Sequence, residues 1–402
     1  MTAPVVALML ALLLGIQPIT TDLYLPSLPT LARELHAGVA AVQLTLSVLI
    51  ICFGVGQLVC GPLADRFGRR PVLLWGMALY TVASVASAAA PSIEWLIGWR
   101  ALQGAAMAAA VTCGRSMLRD LYDPHEGARV MSRAAMGLGL IAMASPLVGG
   151  VLVQWVSWRA ALLALSLFGA GTLAFIAWRF RETLQLRNPR ATQLRPLLHN
   201  WRHVAAHPGF RAWTALLCFS YGALFLFLAS SSFVFIDVLG ASRVGYGFLM
   251  AGGYLAYIAG TLLCRRLLAQ GDLRRAVRIA ACFSLAGGST LALLSLAGVH
   301  GIWAVALPQW VFAIGHGIHQ PCAQAGAVGP FPDKAGTAAA LSGFAMMAAA
   351  SAAGLWVGAN LDGTVYPLTL GMGAMTAGIA AVAWTLVQRH GHTPALPTPQ
   401  PA

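Results

Sequence analysis

Two charged side chains stand where charge is costly. Asp22 lies late in the first long apolar run of this 402-residue sequence, and Arg100 lies early in the fourth. An ionisable residue inside such a run marks a proton or substrate pathway by default. A carboxyl group that passes between dry and wet surroundings, or towards and away from a guanidinium, takes up and releases a proton as the protein changes shape. Asp22 is therefore read as a proton-titrating carboxylate, and Arg100 as the group that tunes it or competes with substrate for it. The alternative is an ion pair that fixes helix packing. If the runs cross a membrane in alternation, both residues fall in the same half of its thickness, and the two side chains are expected to meet.

The tenth run is the most polar of the second half, with Gln309, His316, His319, Gln320 and Gln324. His316 and Gln320 are four apart, as are Gln320 and Gln324, so one helix face can line a cavity. Tyr24, Gln103, Tyr221 and Phe225 complete the candidate substrate contacts, and Phe227, Tyr254 and Tyr257 could add to an apolar pocket. His316 and His319 are three apart without a third ligand, so no metal is expected there, and no cofactor is expected anywhere. They also lack the Ser, Asp or metal set that a membrane-embedded enzyme would need. The seven cysteines form no CxxC pair and read as small core residues.

These residues need elements to hold them, and composition says which. The chain is 58% apolar and only 9% charged, against about 25% charged in soluble domains. Its mean hydropathy is +0.74. A soluble enzyme, a disordered chain and a secreted disulfide scaffold are excluded. A spanning helix takes roughly 20 apolar residues. Runs of that kind fall at 4–27, 42–64, 72–91, 95–117, 131–154, 159–180, 211–236, 244–267, 276–298, 301–325, 336–359 and 366–388. Twelve spans predict an all-α membrane protein. The first is not expected to be a cleaved signal, because Met1-Thr2-Ala3-Pro4 carries no basic segment and the run is too long.

Of the 25 Lys and Arg residues, all but Arg33, Arg100, Arg159 and Arg243 fall on one side of this layout. Basic loops stay in the cytoplasm, so both termini are expected there. The formal net charge of +13 then needs no nucleic acid to explain it. The polar interval divides six spans from six. It predicts bundles at 1–180 and 209–388, a cytoplasmic linker at 181–208, and a disordered Pro-rich tail at 389–402. A six-plus-six plan is that of transporters built from two repeated halves.

The loop after the second span reads Gly61-Pro62-Leu63-Ala64-Asp65-Arg66-Phe67-Gly68-Arg69-Arg70-Pro71. It resembles the cytoplasmic signature of the major facilitator superfamily over its full length. Its glycines allow a tight turn, and Asp65 is placed to pair with Arg69 or to cap the next helix. The second half keeps a worn copy in Gly260, Arg265, Arg266, Arg274 and Arg275. Further stretches resemble the Bcr/CflA group of drug:proton antiporters: Thr21 to Pro29, Arg100 to Gly104 with Gly114 to Tyr122, Ser145 to Gly150, and Phe331 to Leu341. Two positions depart from that pattern. Ser145 and Ile141 replace expected glycines in the antiporter motif around Pro146, Gly149 and Gly150, and Cys322 follows Pro321 where the group often has Asn.

The resemblance implies two six-helix bundles in the major facilitator fold, with alternating access driven by protons. It places the proton site on Asp22, with Arg100 a functional position. Proton-coupled efflux of small amphipathic drugs across the bacterial inner membrane is the function expected, by a monomer in the lipid bilayer. Export of one metabolite or siderophore is the alternative.

Overall fold

In hydrocarbon every backbone N–H and C=O must be paired within the chain, which leaves helices as the natural outcome of twelve apolar runs. A computed structural model describes residues 2–392 of the chain. The described residues are helical with no strand. The Pro-rich tail from Thr393 onward lies outside them.

The first half opens with α1 (Ala3–Asp22), a short α2 (Leu28–Glu34), α3 (Val39–Phe67) and α4 (Arg69–Ala88). It continues with α5 (Ile93–Leu121), α6 (Pro124–Trp155) and α7 (Trp158–Arg179). After α8 (Leu194–Ala206) come α9 (Pro208–Ser232), α10 (Arg243–Ala269) and α11 (Leu273–Leu296). The chain ends with α12 (Ile302–Val328), α13 (Ala335–Asn360), α14 (Tyr366–Trp384) and α15 (Leu386–His390).

Three places differ from the sequence expectation. The first span stops as an α-helix at Asp22, then passes through a tight turn at Leu25–Ser27 into α2. Pro26 has no N–H to give to the carbonyl of Asp22, and its ring crowds that carbonyl, so the helix cannot run on. The interval 181–208 contains a thirteen-residue helix, α8, whose Val204 is buried and which packs on α9 and α13. The last span breaks at Thr385 before α15.

Ten helical segments among the described residues are long and apolar enough to cross a membrane. The two remaining long helices, α5 and α12, have 29 and 27 residues. They fall short only because they carry the polar residues singled out above, and each holds the fourth place in its half. Between the halves, α3 packs along α13 and α6 along α10. Gly150 and Gly247 let the α6–α10 contact close: a Cβ on Gly150 would lie 2.5 Å from the Arg243 carbonyl oxygen, and one on Gly247 2.8 Å from that of Pro146.

Candidate proton and substrate site

Asp22 is the last residue of α1 and is 1% exposed. Its carboxylate accepts a hydrogen bond from the Thr21 hydroxyl at 3.0 Å and another from the Tyr254 hydroxyl of α10. One turn earlier on α1, the Gln17 side-chain amide donates to the hydroxyl of Tyr221 on α9. Both links join the first half to the second. Sequence reasoning passed over Gln17 and placed Tyr254 in an apolar pocket. Its polar end instead holds Asp22, the one buried carboxylate among the described residues.

Arg100 is fully buried and is not paired with Asp22. It donates to Gln103 Oε1 at 2.6 Å and to the Thr20 carbonyl at 3.3 Å, and its guanidinium lies 4.3 Å from the centre of the Tyr24 ring. Its Nε has no partner. The expected meeting of the two charges is therefore corrected, and the reason is the direction each side chain takes. Arg100 meets the Thr20 carbonyl and the Tyr24 ring beyond the end of α1, whereas the Asp22 side chain turns to Tyr254 of α10.

Around Arg100 the polar atoms are closed into a network. Gln103 donates to the Ser84 hydroxyl at 2.7 Å, Thr20 and Tyr80 share a hydrogen bond at 2.7 Å, and Tyr24 and Thr45 share one at 3.0 Å. Tyr24 and Gln103, expected as substrate contacts, are thus buried with their polar groups engaged.

On α12, His316 Nδ1 and the Ser220 hydroxyl of α9 lie 2.8 Å apart, and the ring stacks on Phe312 with Tyr221 and Tyr257 beside it. His319 is buried with both ring nitrogens unpartnered. Gln320 and Gln324 are part-exposed, and Gln320 reaches only the Met346 sulfur at 3.7 Å. Phe225 is buried against Gly354 of α13. Tyr221, Tyr254, Tyr257 and His316 therefore form one cluster next to Asp22.

The 61–71 loop is built as the motif predicts, with one addition. Gly61 sits where α3 nears Thr112 of α5, and Gly68 turns the chain with φ +107°. Arg69 bonds Asp65 at 2.5 Å and Asp120 at 3.2 Å, so Asp65 pairs and does not cap. The cap is Glu182, which accepts from the backbone N–H of Arg69 and Arg70 at 3.0 and 3.1 Å. Arg70 returns the contact through the Phe180 and Ala177 carbonyls, and Arg66 reaches Thr192 at 2.6 Å. Burial alone would push the Glu182 carboxyl up. The N–H groups of Leu184, Arg70, Arg69 and Thr183 outweigh it and hold the carboxyl below its usual range.

The Pro146 to Gly150 segment of α6 touches both sides of the site. Gly149 abuts the Leu23 carbonyl where α1 breaks, Gly150 abuts the Arg243 carbonyl, and the Pro146 carbonyl abuts Gly247. Away from the termini, further bonds cross between the halves. Gln43 donates to the Ala229 carbonyl, Arg243 to the Thr30 hydroxyl at 2.9 Å, and the N–H of Val244 to Gln154 at 3.3 Å. That face is closed.

Residues 10–355 match the Major Facilitator Superfamily. Multidrug resistance protein D of Escherichia coli is 30% identical over 336 residues, covering 84% of both chains. The bicyclomycin resistance protein homolog of Haemophilus influenzae is 27% identical over 91% of this chain and 92% of its own. The chloramphenicol resistance protein of Pseudomonas aeruginosa is 29% identical over 80% and 75%. Among solved structures, that of the D-xylose-proton symporter superposes with a TM-score of 0.75 at 16% identity, over 96% of this chain and 98% of that one. That last likeness speaks for the fold alone. Sequence family, helix order and fold agree: the chain is a multi-pass membrane protein and belongs to the major facilitator superfamily.

Proposed function

We propose that the chain exports small amphipathic drugs from the bacterial cytoplasm in exchange for protons. The observation that carries this reading is the buried Asp22 carboxylate, which has no cationic partner among the described residues and is bonded across the seam to Tyr254. Relatives named for resistance to multiple drugs, bicyclomycin and chloramphenicol support the substrate class. The protein lies in the inner membrane with both termini cytoplasmic, as the distribution of Lys and Arg supports. It works as a monomer in the bilayer, and no chemistry beyond proton transfer is required of its residues. Residues 1–180 and 209–388 rock against each other, joined by the 181–208 linker. The closed face is then periplasmic.

Cargo reaches the cluster of Tyr221, Tyr257, His316, Gln320 and Gln324 from the cytoplasm. Asp22 takes its proton from the periplasmic side and gives it up inside. The polar face of α12 favours a second reading, a dedicated exporter of one polar metabolite or siderophore. The deciding experiment expresses the chain in a pump-deficient bacterium and follows chloramphenicol, bicyclomycin, ethidium and a siderophore, with and without an uncoupler. Protection against several unrelated compounds that the uncoupler removes, and that Asp22→Asn abolishes at normal expression, is the expected result. Export of a single metabolite would select the second reading, and normal uncoupler-sensitive export by Asp22→Asn would overturn the assignment of the proton site.

A further inference from the structure

An antiporter loses its coupling if the empty, deprotonated carrier can cross between its two states. We infer that Tyr254 prevents this crossing: it is a positioning residue whose hydroxyl latches the ionised Asp22 carboxylate to the second half until a proton or a cargo molecule releases it. The inference rests on reading Asp22 as the proton carrier.

The geometry supports the latch at three points. The Tyr254–Asp22 bond joins α10 to α1, so it joins the two halves. A hydrogen bond to an ionised acceptor is roughly twice as strong as one between neutral groups, so protonating the carboxyl weakens it. The bond also sits beside the seam. The α1 break after Asp22 rests on Gly149, and the next residue, Gly150, rests on the first turn of α10. Loosening Asp22 from α10 therefore loosens the contact that keeps the far face shut.

Among the described residues no cation pairs with the carboxylate. Arg100 is turned to Thr20 and Tyr24, where Tyr80 of α4 also lies. From α9 the group within reach of the Asp22 charge is Tyr221, and from α10 they are Tyr246 and Tyr254. Thr21 on α1 supplies the remaining donor, and α6 presents glycine and backbone. His316 of α12 stands behind Tyr221 and Tyr257. Tyr246 spends its hydroxyl on Ser231 and Tyr221 receives from Gln17, which leaves Tyr254 as the tyrosine bonded to Asp22.

The test follows the far face directly and needs no cargo. Spin labels at Val156 and Ser242, exposed on either side of the seam, report its opening in nanodiscs between pH 5 and pH 9. In the otherwise unchanged chain, long distances should gain population as pH falls. Tyr254→Phe, which removes only the hydroxyl, should open the face about tenfold more at high pH and lose most of the pH dependence. Asp22→Asn should lose the pH dependence as well. In proteoliposomes, Tyr254→Phe should let ethidium run down its gradient without a pH difference while losing uphill accumulation. An unchanged pH dependence in Tyr254→Phe, or none in the parent chain, overturns the latch. If Tyr254→Phe behaves as the parent while Asp22→Asn loses the dependence, the latch fails and the proton site stands. If Asp22→Asn titrates like the parent, the proton reading itself fails.

Discussion

Arg100 is a full positive charge removed from water with no carboxylate beside it. Burying such a group costs several kcal/mol even after relaxation. Its compensation is two hydrogen bonds and the face of Tyr24, where a desolvated cation–π contact gives about 2 kcal/mol. A planar guanidinium can stack and donate in two directions together, whereas an ammonium cannot. Arg100→Lys should therefore lower the thermal midpoint in detergent and reduce efflux at least several-fold. Parent-like stability and transport would show that any positive charge suffices. The importance of Arg100 and Asp22 was legible in the sequence, because each is ionisable within an apolar run. Their separation was not. Asp22 ends α1 and Tyr24 lies beyond the break, and which of them meets α5 is decided by packing. Tyr254 was hidden for a related reason: a tyrosine in an apolar run has the same appearance whether its hydroxyl meets lipid, water or a carboxylate.

At the scale of elements, the turn between α3 and α4 is held from a distance. Glu182 follows α7 and closes the exposed N-terminus of α4, where unpaired N–H groups favour an anion. A motif scan finds Gly61 to Pro71 because they are contiguous, and it cannot find a cap about 113 residues away. The same limit applied to α8, whose helix is short, polar and stabilised by what it packs on. Because the Glu182 carboxyl is held below its ordinary range, its contribution is present above the unfolded value of about 4.3 and is lost as pH falls through that value towards the lower folded one. Glu182→Gln should therefore lose about 1 kcal/mol at pH 7, the usual size of a helix-cap loss, less what solvent screening removes at this exposed site. The gap between variant and parent should narrow below about pH 4. Melting curves at pH 7 and pH 3.5 check this, and a gap that is constant with pH would assign the effect to shape and not to charge.

At the scale of the molecule, twelve spans and a six-plus-six division were legible because hydropathy and the placement of arginine are imposed on each segment by the bilayer. Which helices form the seam was not, since that depends on two glycines facing backbone across a gap. Gly150 is the sharper case. A Cβ there meets the Arg243 carbonyl, which is fixed in the first turn of α10 and cannot rotate away as a side chain would. Gly150→Val should force α6 and α10 apart on the face away from the termini and shift the population towards the state open there. The same Val156 and Ser242 spin labels should then report longer distances at every pH, with the proton response flattened because the seam no longer needs release. Gly139→Val, also on α6 but with nothing within 4 Å of its Cβ, is the control and should leave both distances and transport unchanged. Equal distance distributions in the two variants would mean that α10 shifts to absorb the methyl groups, and that the seam is held closed by the polar contacts at Asp22, Gln43 and Arg243 without help from close backbone packing.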